Sequence, residues 1–165
     1  MGRRARMRSR TPEEMVELGH CIGKVLFDGA VVGLSGPLGV GKTTLARGIA
    51  AGMGIDGGYV VSSPTYTILQ SYPCSGRILH HLDLYRVVGP DDLDSTGYRD
   101  HVGGNTVLAV EWPEREPSVL PPENLVVRID YQGEEREITL VASGSRYEEL
   151  VEQVMEMAEE GLSTR

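Results

Sequence analysis

The chain has 165 residues, a formal net charge of −8, 40% hydrophobic residues and 24% charged residues. That length suggests one domain with an adequate core, and the composition is ordinary for a soluble globular protein. No apolar run approaches the length that spans a membrane, no secretory signal is visible, and Cys21 and Cys74 fit no metal-ligand spacing, which together predict a cytoplasmic protein with reduced thiols.

Residues 1–10 carry Arg3, Arg4, Arg6, Arg8 and Arg10 and read as a flexible basic arm. The remaining body is strongly acidic and is not expected to bind nucleic acid directly and stably by itself. Residues 11–160 read as the single folded domain and 161–165 as a tail.

Thr11-Pro12-Glu13-Glu14 predicts a helix start, with Thr11 as N-cap, Pro12 in the first turn and Glu14 completing a capping box. Met15, Leu18, Ile22, Val25 and Leu26 then recur at helical spacing to about Phe27, and Asp28-Gly29 ends the helix. Residues 30–35 are an apolar run that reads as a buried strand. Gly36-Pro37-Leu38-Gly39-Val40-Gly41-Lys42-Thr43 follows it, and residues 44–50 open a second helix that stops near Gly52. Tyr59-Val60-Val61 is expected as a short strand before the loop Ser62-Ser63-Pro64-Thr65. Residues 66–72 alternate as a strand, 73–76 turn, and 77–83 return as a strand ending in Asp83. A short helix carrying Leu93 starts at residues 89–92, and residues 106–111 form a buried strand ending in Glu111. Pro113, Pro117, Pro121 and Pro122 predict an extended loop. Residues 125–131 and 136–141 flank the turn at 132–135 as an antiparallel hairpin, and Leu150, Val151, Val154, Met155 and Ala158 mark an amphipathic C-terminal helix. The sum is an α/β fold of the P-loop type, in three α/β/α layers, with a mixed, mainly parallel sheet and a C-terminal antiparallel hairpin.

The octet from Gly36 to Thr43 fits G-x-x-x-x-G-K-[ST] between a strand and a helix, the context a phosphate-binding loop requires. Glycines let the backbone wrap a polyphosphate with its N–H groups turned inward, and the helix N-terminus adds partial positive charge. Lys42 is expected to reach the β- and γ-phosphates and the Thr43 hydroxyl to ligate Mg²⁺. Hydrolysis also needs a group that positions water. Asp83 and Glu111 end strands, so both project towards the loop if the strands are parallel. Asp83 resembles a Walker B aspartate; Glu111 is either a Mg²⁺-linked ligand or the residue that orients water. Thr65 lies in a loop placed to sense the γ-phosphate, as switch loops do. Trp112 either shields the nucleotide or packs half-buried. His80-His81 lacks partners at ligand spacing and predicts no zinc site, and no N-K-x-D guanine signature occurs.

Residues 36–44, Ser63-Pro64-Thr65-Tyr66-Thr67, His81-Leu82-Asp83-Leu84-Tyr85-Arg86 and Val110-Glu111-Trp112-Pro113 occur together and in this order, and over roughly residues 11–142 the chain resembles the TsaE (YjeE) family. The resemblance implies an ATPase that supports threonylcarbamoyl modification of adenosine 37 in tRNAs reading codons that begin with A. It implies docking on TsaB and TsaD, hence only an indirect link to tRNA. By position it places Mg²⁺ and catalytic roles on Thr43, Asp83 and Glu111, and a switch role on Thr65. It places nucleotide contacts on Gly36, Leu38, Gly39, Val40, Gly41, Lys42, Thr43, Thr44 and Trp112, on Thr11 at the first helix, and on Arg136 in the hairpin. Pro37 stands where the family usually has aspartate, Val40 where it has alanine, and Met15 where it often has threonine; the arginine-rich start has no family counterpart. Two other readings fit the phosphate loop. A small-molecule kinase would need an arginine-bearing lid, and residues 113–122 offer only Arg115. An ATP-gated adaptor would bind nucleotide without needing to hydrolyse it.

Overall fold

The structure, a computed structural model, describes residues 2–62 and 68–163. In chain order its elements are β1 (Arg3–Ser9), α1 (Pro12–Val25), β2 (Val31–Ser35), α2 (Lys42–Gly52), β3 (Leu69–Cys74), β4 (Arg77–Asp83), α3 (Gly89–Asp94), β5 (Thr106–Glu111), β6 (Asn124–Gln132), β7 (Glu135–Ser143) and α4 (Ser145–Ser163). Short 3-10 turns lie at Tyr98–His101, Pro113–Arg115 and Pro117–Val119.

The strands form one sheet in the order β1-β7-β6-β2-β5-β4-β3. The central four, β6, β2, β5 and β4, run parallel, and antiparallel strands finish both sides. β2 and β5 are buried along almost their whole length because both of their faces are covered, which is why they read as continuous apolar runs. One face packs under α1, α2 and α4, with Ile22, Leu45, Ile49, Val127, Leu140 and Val151 in the shared core. On the other, Val31, Leu82, Leu108 and Val110 lie under Leu84, Leu93, Tyr98 and Val119, so that layer is built from short elements.

α1 and α2 pack backbone to backbone through glycines. A Cβ on Gly48 would lie 2.3 Å from the Val16 carbonyl oxygen and 2.8 Å from the Gly19 Cα; one on Gly23 would lie 2.2 Å from the Ile49 carbonyl oxygen. α1 begins as expected at Thr11, whose hydroxyl accepts the Glu14 N–H at 3.1 Å. The reciprocal half of the capping box is shifted by one residue: Glu14 Oε2 accepts from the Arg10 N–H at 2.7 Å, not from Thr11.

Residues 3–9 are not a flexible arm but the edge strand β1, paired with β7 from Arg3↔Ala142 to Ser9↔Arg136. Ala5 and Met7 turn inward against the helix-side core and Ser9 is buried, while the arginines between them stay outside. The arginine density hides a period-2 pattern. Tyr59-Val60-Val61 forms no strand. Val61 is buried and its carbonyl accepts from Arg47 Nε at 2.9 Å, whereas Tyr59 and Val60 are exposed; β propensity yields where no ladder partner is at hand. Pro73, expected in a turn, is the fifth residue of β3, which an edge strand tolerates. Residues 113–122 contain two 3-10 turns instead of a fully extended loop, and α4 continues to Ser163, past the expected start of the tail.

Candidate functional site

β2 delivers the chain into the glycine-rich loop at the carboxyl edge of the parallel strands, and α2 leaves it with its N-terminus facing back. Gly41 caps α2 with φ +126°, and Gly36 has φ +149° with no room for a side chain, since a Cβ would lie 2.4 Å from the Ile129 carbonyl oxygen. The hairpin clamps this loop from the side: Tyr131 Oη donates to the Leu38 carbonyl at 2.9 Å and Arg136 Nε to the Val40 carbonyl at 3.0 Å.

Lys42 is buried. Its Nζ donates to the carbonyls of Gly36 at 2.5 Å and Pro37 at 2.9 Å, and lies 4.0 Å from the centre of the Trp112 ring. Pro37 therefore serves the loop through its carbonyl, which no substitution of the side chain removes. Burial pushes the Lys42 ammonium below the ordinary lysine range, and the carboxylates of Glu111, Glu114 and Asp83 partly restore it. An anion in the cleft would favour the charged form further.

β4 and β5 pair in register with Asp83 opposite Glu111. Their acids thus end adjacent strands on the face that α2 covers. Glu111 is 3% exposed, and the Thr43 hydroxyl donates to its two carboxylate oxygens at 3.3 and 3.2 Å. On its far side His81 Nε2 donates to Glu111 Oε2 at 2.6 Å; His81 is fully buried. Its other ring nitrogen, Nδ1, has no hydrogen-bond partner among the described residues. Asp83 caps the next turn, accepting the Tyr85 N–H at 2.9 Å, and also lines the cleft. Trp112 holds a left-handed backbone, φ +60°, and is half-buried, with its ring 5.2 Å from Tyr85.

The cleft measures about 350 Å³ and is lined by Leu38, Gly39, Gly41, Lys42, Thr43, Thr44, Asp83, Tyr85, Arg86, Glu111 and Trp112. A second, smaller hollow continues from it across the loop, sharing Gly39, Gly41 and Thr44, and is bounded by Ser9, Arg10, Thr11, Pro12, Val40, Glu134 and Arg136. Thr11 and Arg136, far apart in sequence, meet there because β1 and β7 are neighbours. Thr65 lies outside the described residues. His81 is the residue that sequence reasoning missed; its signal is the spacing of two before Asp83, which puts both side chains on one face of β4.

For Mg²⁺ the donor set fits. Thr43, Asp83 and Glu111 offer only oxygen, and Mg²⁺ is commonly held by one or two carboxylates plus phosphate oxygens rather than by an all-protein cage. Among the described residues no cluster of three or more His, Cys, Asp or Glu forms such a cage.

A glycine-rich loop between a parallel strand and a helix, with strand-end acids turned towards it, defines the class of P-loop nucleotide-binding proteins, and this chain is one. The family model for threonylcarbamoyl adenosine biosynthesis protein TsaE matches residues 9–138. The chain is 38% identical over 148 residues to the Bacillus subtilis tRNA threonylcarbamoyladenosine biosynthesis protein TsaE, covering 89% of this chain and 91% of that one. It is 41% identical over 112 residues to the Haemophilus influenzae protein of the same name, covering 68% of this chain and 70% of that one. The crystal structure of Bacillus subtilis YdiB superposes with a TM-score of 0.78 at 34% identity, over 96% of this chain and 98% of that one. The chain belongs to the TsaE family.

Proposed function

We propose that the chain binds Mg-ATP in this cleft and hydrolyses it to ADP and phosphate in support of threonylcarbamoyl modification of adenosine 37 in tRNAs reading codons that begin with A, docking on TsaB and TsaD in the cytoplasm. The observation that carries the reading is the Thr43–Glu111 contact: the residue after the phosphate-loop lysine meets a buried strand-end carboxylate at 3.2 Å. Family membership supplies the biosynthetic setting. Among the described residues no helix is long and apolar enough to cross a membrane.

In this reading the loop N–H groups and the α2 N-terminus cradle the phosphates, and Lys42 leaves its loop carbonyls to pair with the β- and γ-oxygens. Mg²⁺, held by Thr43 with Glu111 or Asp83, would neutralise phosphate charge. Whichever carboxylate is not committed to it orients the attacking water. Trp112 covers one wall, and Thr11 and Arg136 bound the hollow where the nucleoside end would lie.

The test is ATP turnover by the intact protein with and without TsaB and TsaD, alongside Lys42→Ala. Turnover that rises with the partners and ATP binding that is lost in Lys42→Ala are expected. ATP binding by Lys42→Ala as tight as wild type would remove the phosphate-loop assignment; phosphoryl transfer to a small acceptor would favour a kinase.

A further inference from the structure

Ordering residues 3–9 into β1 turns a cluster of charges into a fixed array. Ala5, Met7 and Ser9 face inward, so Arg4, Arg6 and Arg8 project together from the opposite face of the sheet. Thr139 of β7 stands in register between Arg6 and Arg128 of β6, making one cross-strand row. The short elements that cover this side of the molecule pack on β2, β4 and β5; their core contains no residue of β1, β6 or β7. The arginine face is therefore an uncovered stretch of sheet on a chain whose net charge is −8.

We propose that this face, centred on Arg4, Arg6 and Arg128, docks the phosphate backbone of duplex RNA. Alternate residues of a strand stand about 7 Å apart, a step close to that between successive phosphates. Arginine binds phosphate bidentately, and a row already held by β7 loses less freedom on binding than a loose arm would. Arg4 and Arg6 have no acidic partner among the described residues. Arg128 pairs only with Asp130 on its own strand at 3.1 Å, both exposed, an arrangement readily exchanged for phosphate. Glu137 and Asp130 stand beside Arg8 and bound the basic region on the side of the hairpin turn, while Arg128 stands in register with Ser35 of β2.

The choice of RNA over protein rests on what the face lacks. Its other side chains are Val126, Thr139 and Val141, and protein interfaces are anchored by aromatic residues that are absent here. Binding of single strands likewise needs aromatic platforms for the bases. What remains is contact to backbone phosphate without base readout. Residues 3–8 precede the stretch matched by the family model, residues 9–138, within which Arg128 lies.

The proposal rests on the tRNA-modification reading only in its choice of probe. Labelled unmodified tRNA and a plain RNA hairpin duplex are titrated with the intact protein, without TsaB, TsaD or nucleotide. Both RNAs should bind, and raising salt from about 50 to 200 mM should weaken binding roughly 40- to 150-fold if three or four phosphates are met. The triple variant Arg4→Ala/Arg6→Ala/Arg128→Ala should bind at least about tenfold more weakly, with the salt slope reduced by roughly 2 to 3, while its melting temperature and ATP affinity stay at wild-type values. Arg99→Ala, exposed elsewhere, should change nothing. Absence of RNA binding at low salt, or wild-type binding by the triple variant, would overturn the proposal. So would tighter binding of polyglutamate than of RNA at the same arginines, which would assign the face to an acidic protein. A salt-sensitive dimer that the triple variant abolishes, with no RNA binding, would assign it to a second copy of this chain. Failure of TsaB and TsaD to stimulate turnover would count against the modification reading alone and leave these binding measurements standing.

Discussion

Glu111 is gripped from two sides, by the Thr43 hydroxyl towards the cleft and by His81 Nε2 at 2.6 Å from behind. The first contact is with the residue that would share a metal ion; the second fixes the carboxylate's orientation. Glu111→Gln keeps the shape and removes the charge, and should lower ATP turnover on the order of 10²-fold with little change in melting temperature. Asp83→Ala should also lose turnover, although some of its effect will come from the Tyr85 turn it caps. His81 touches no substrate and acts as a positioning residue. His81→Ala should weaken the Mg²⁺ dependence or turnover by about 10–100-fold, leave ATP binding without Mg²⁺ unchanged, and be partly rescued by His81→Gln. A Mg²⁺ titration of His81→Ala that superimposes on wild type would reduce the histidine to packing. That Lys42, Thr43, Asp83 and Glu111 meet in one cleft was legible because each is announced locally, by a motif or by a strand that ends in an acid. His81 was not, because adjacent histidines look alike in one dimension; only the pleat sends His81 to Glu111 and His80 to Ser71 on the other face.

Among the elements, the α1–α2 contact sets where the phosphate loop can sit, since α2 starts at Lys42. Gly48→Ala places a methyl 2.3 Å from one backbone atom and 2.8 Å from another, and neither can move without its helix. The expected loss of stability is about 1–3 kcal/mol or more, with weaker ATP binding because the helices must part. Gly57→Ala is the control: a Cβ there meets nothing within 4 Å, so its melting temperature should hold or rise. The edge pair β3–β4 carries a pH dependence. Burial, then the nearby His101, lowers the pKa of His80 below 6.5. The unfolded chain therefore takes up a proton there before the folded one does, so the histidine's contribution to stability is full above 6.5, falls as pH drops from 6.5 towards the lowered value, and changes no further below it. Differential melting at about pH 7.5 and 5.5 should show a larger drop for wild type than for His80→Gln; equal drops would place the sensitivity in the carboxylates. β4 and β5 match their expected limits because each follows a turn and closes on an acid, Asp83 or Glu111. β1 was hidden by its charge: four of its seven residues are arginines whose stems need no burial, so composition outweighed alternation. Glycine pairs four apart in both α1 and α2 were a signal of close helix packing, yet singly each reads only as a weak helix former.

At the scale of the whole molecule, the sheet order assembles one site from segments 125 residues apart, as Thr11 and Arg136 bound the same hollow beside the phosphate loop. No local pattern announces such a meeting; β7 has to reverse beside β6 and then receive β1. The finished cleft still opens at a mouth where Leu38 is 68% exposed and Tyr85 is 43% exposed. Arg86 lines it, while Arg115 lies 5.2 Å from the Tyr85 ring and 5.7 Å from that of Trp112, stacked at the rim. An arginine brought over the γ-phosphate, by a partner or by a shift of one of these two, can be worth roughly 10³–10⁵ in rate. The isolated protein should therefore hydrolyse ATP slowly, and TsaB–TsaD, by covering the mouth, should accelerate it. Binding must then be coupled in both directions: if the partners favour the ATP-bound form, ATP tightens docking by the same factor. Titrating TsaB–TsaD against the protein with a non-hydrolysable ATP analogue, with ADP and without nucleotide should give the tightest docking with the analogue. Equal affinity in all three states, together with unchanged turnover, would exclude an ATP-gated partner and leave a free-standing phosphoryl-transfer enzyme as the better account of the cleft.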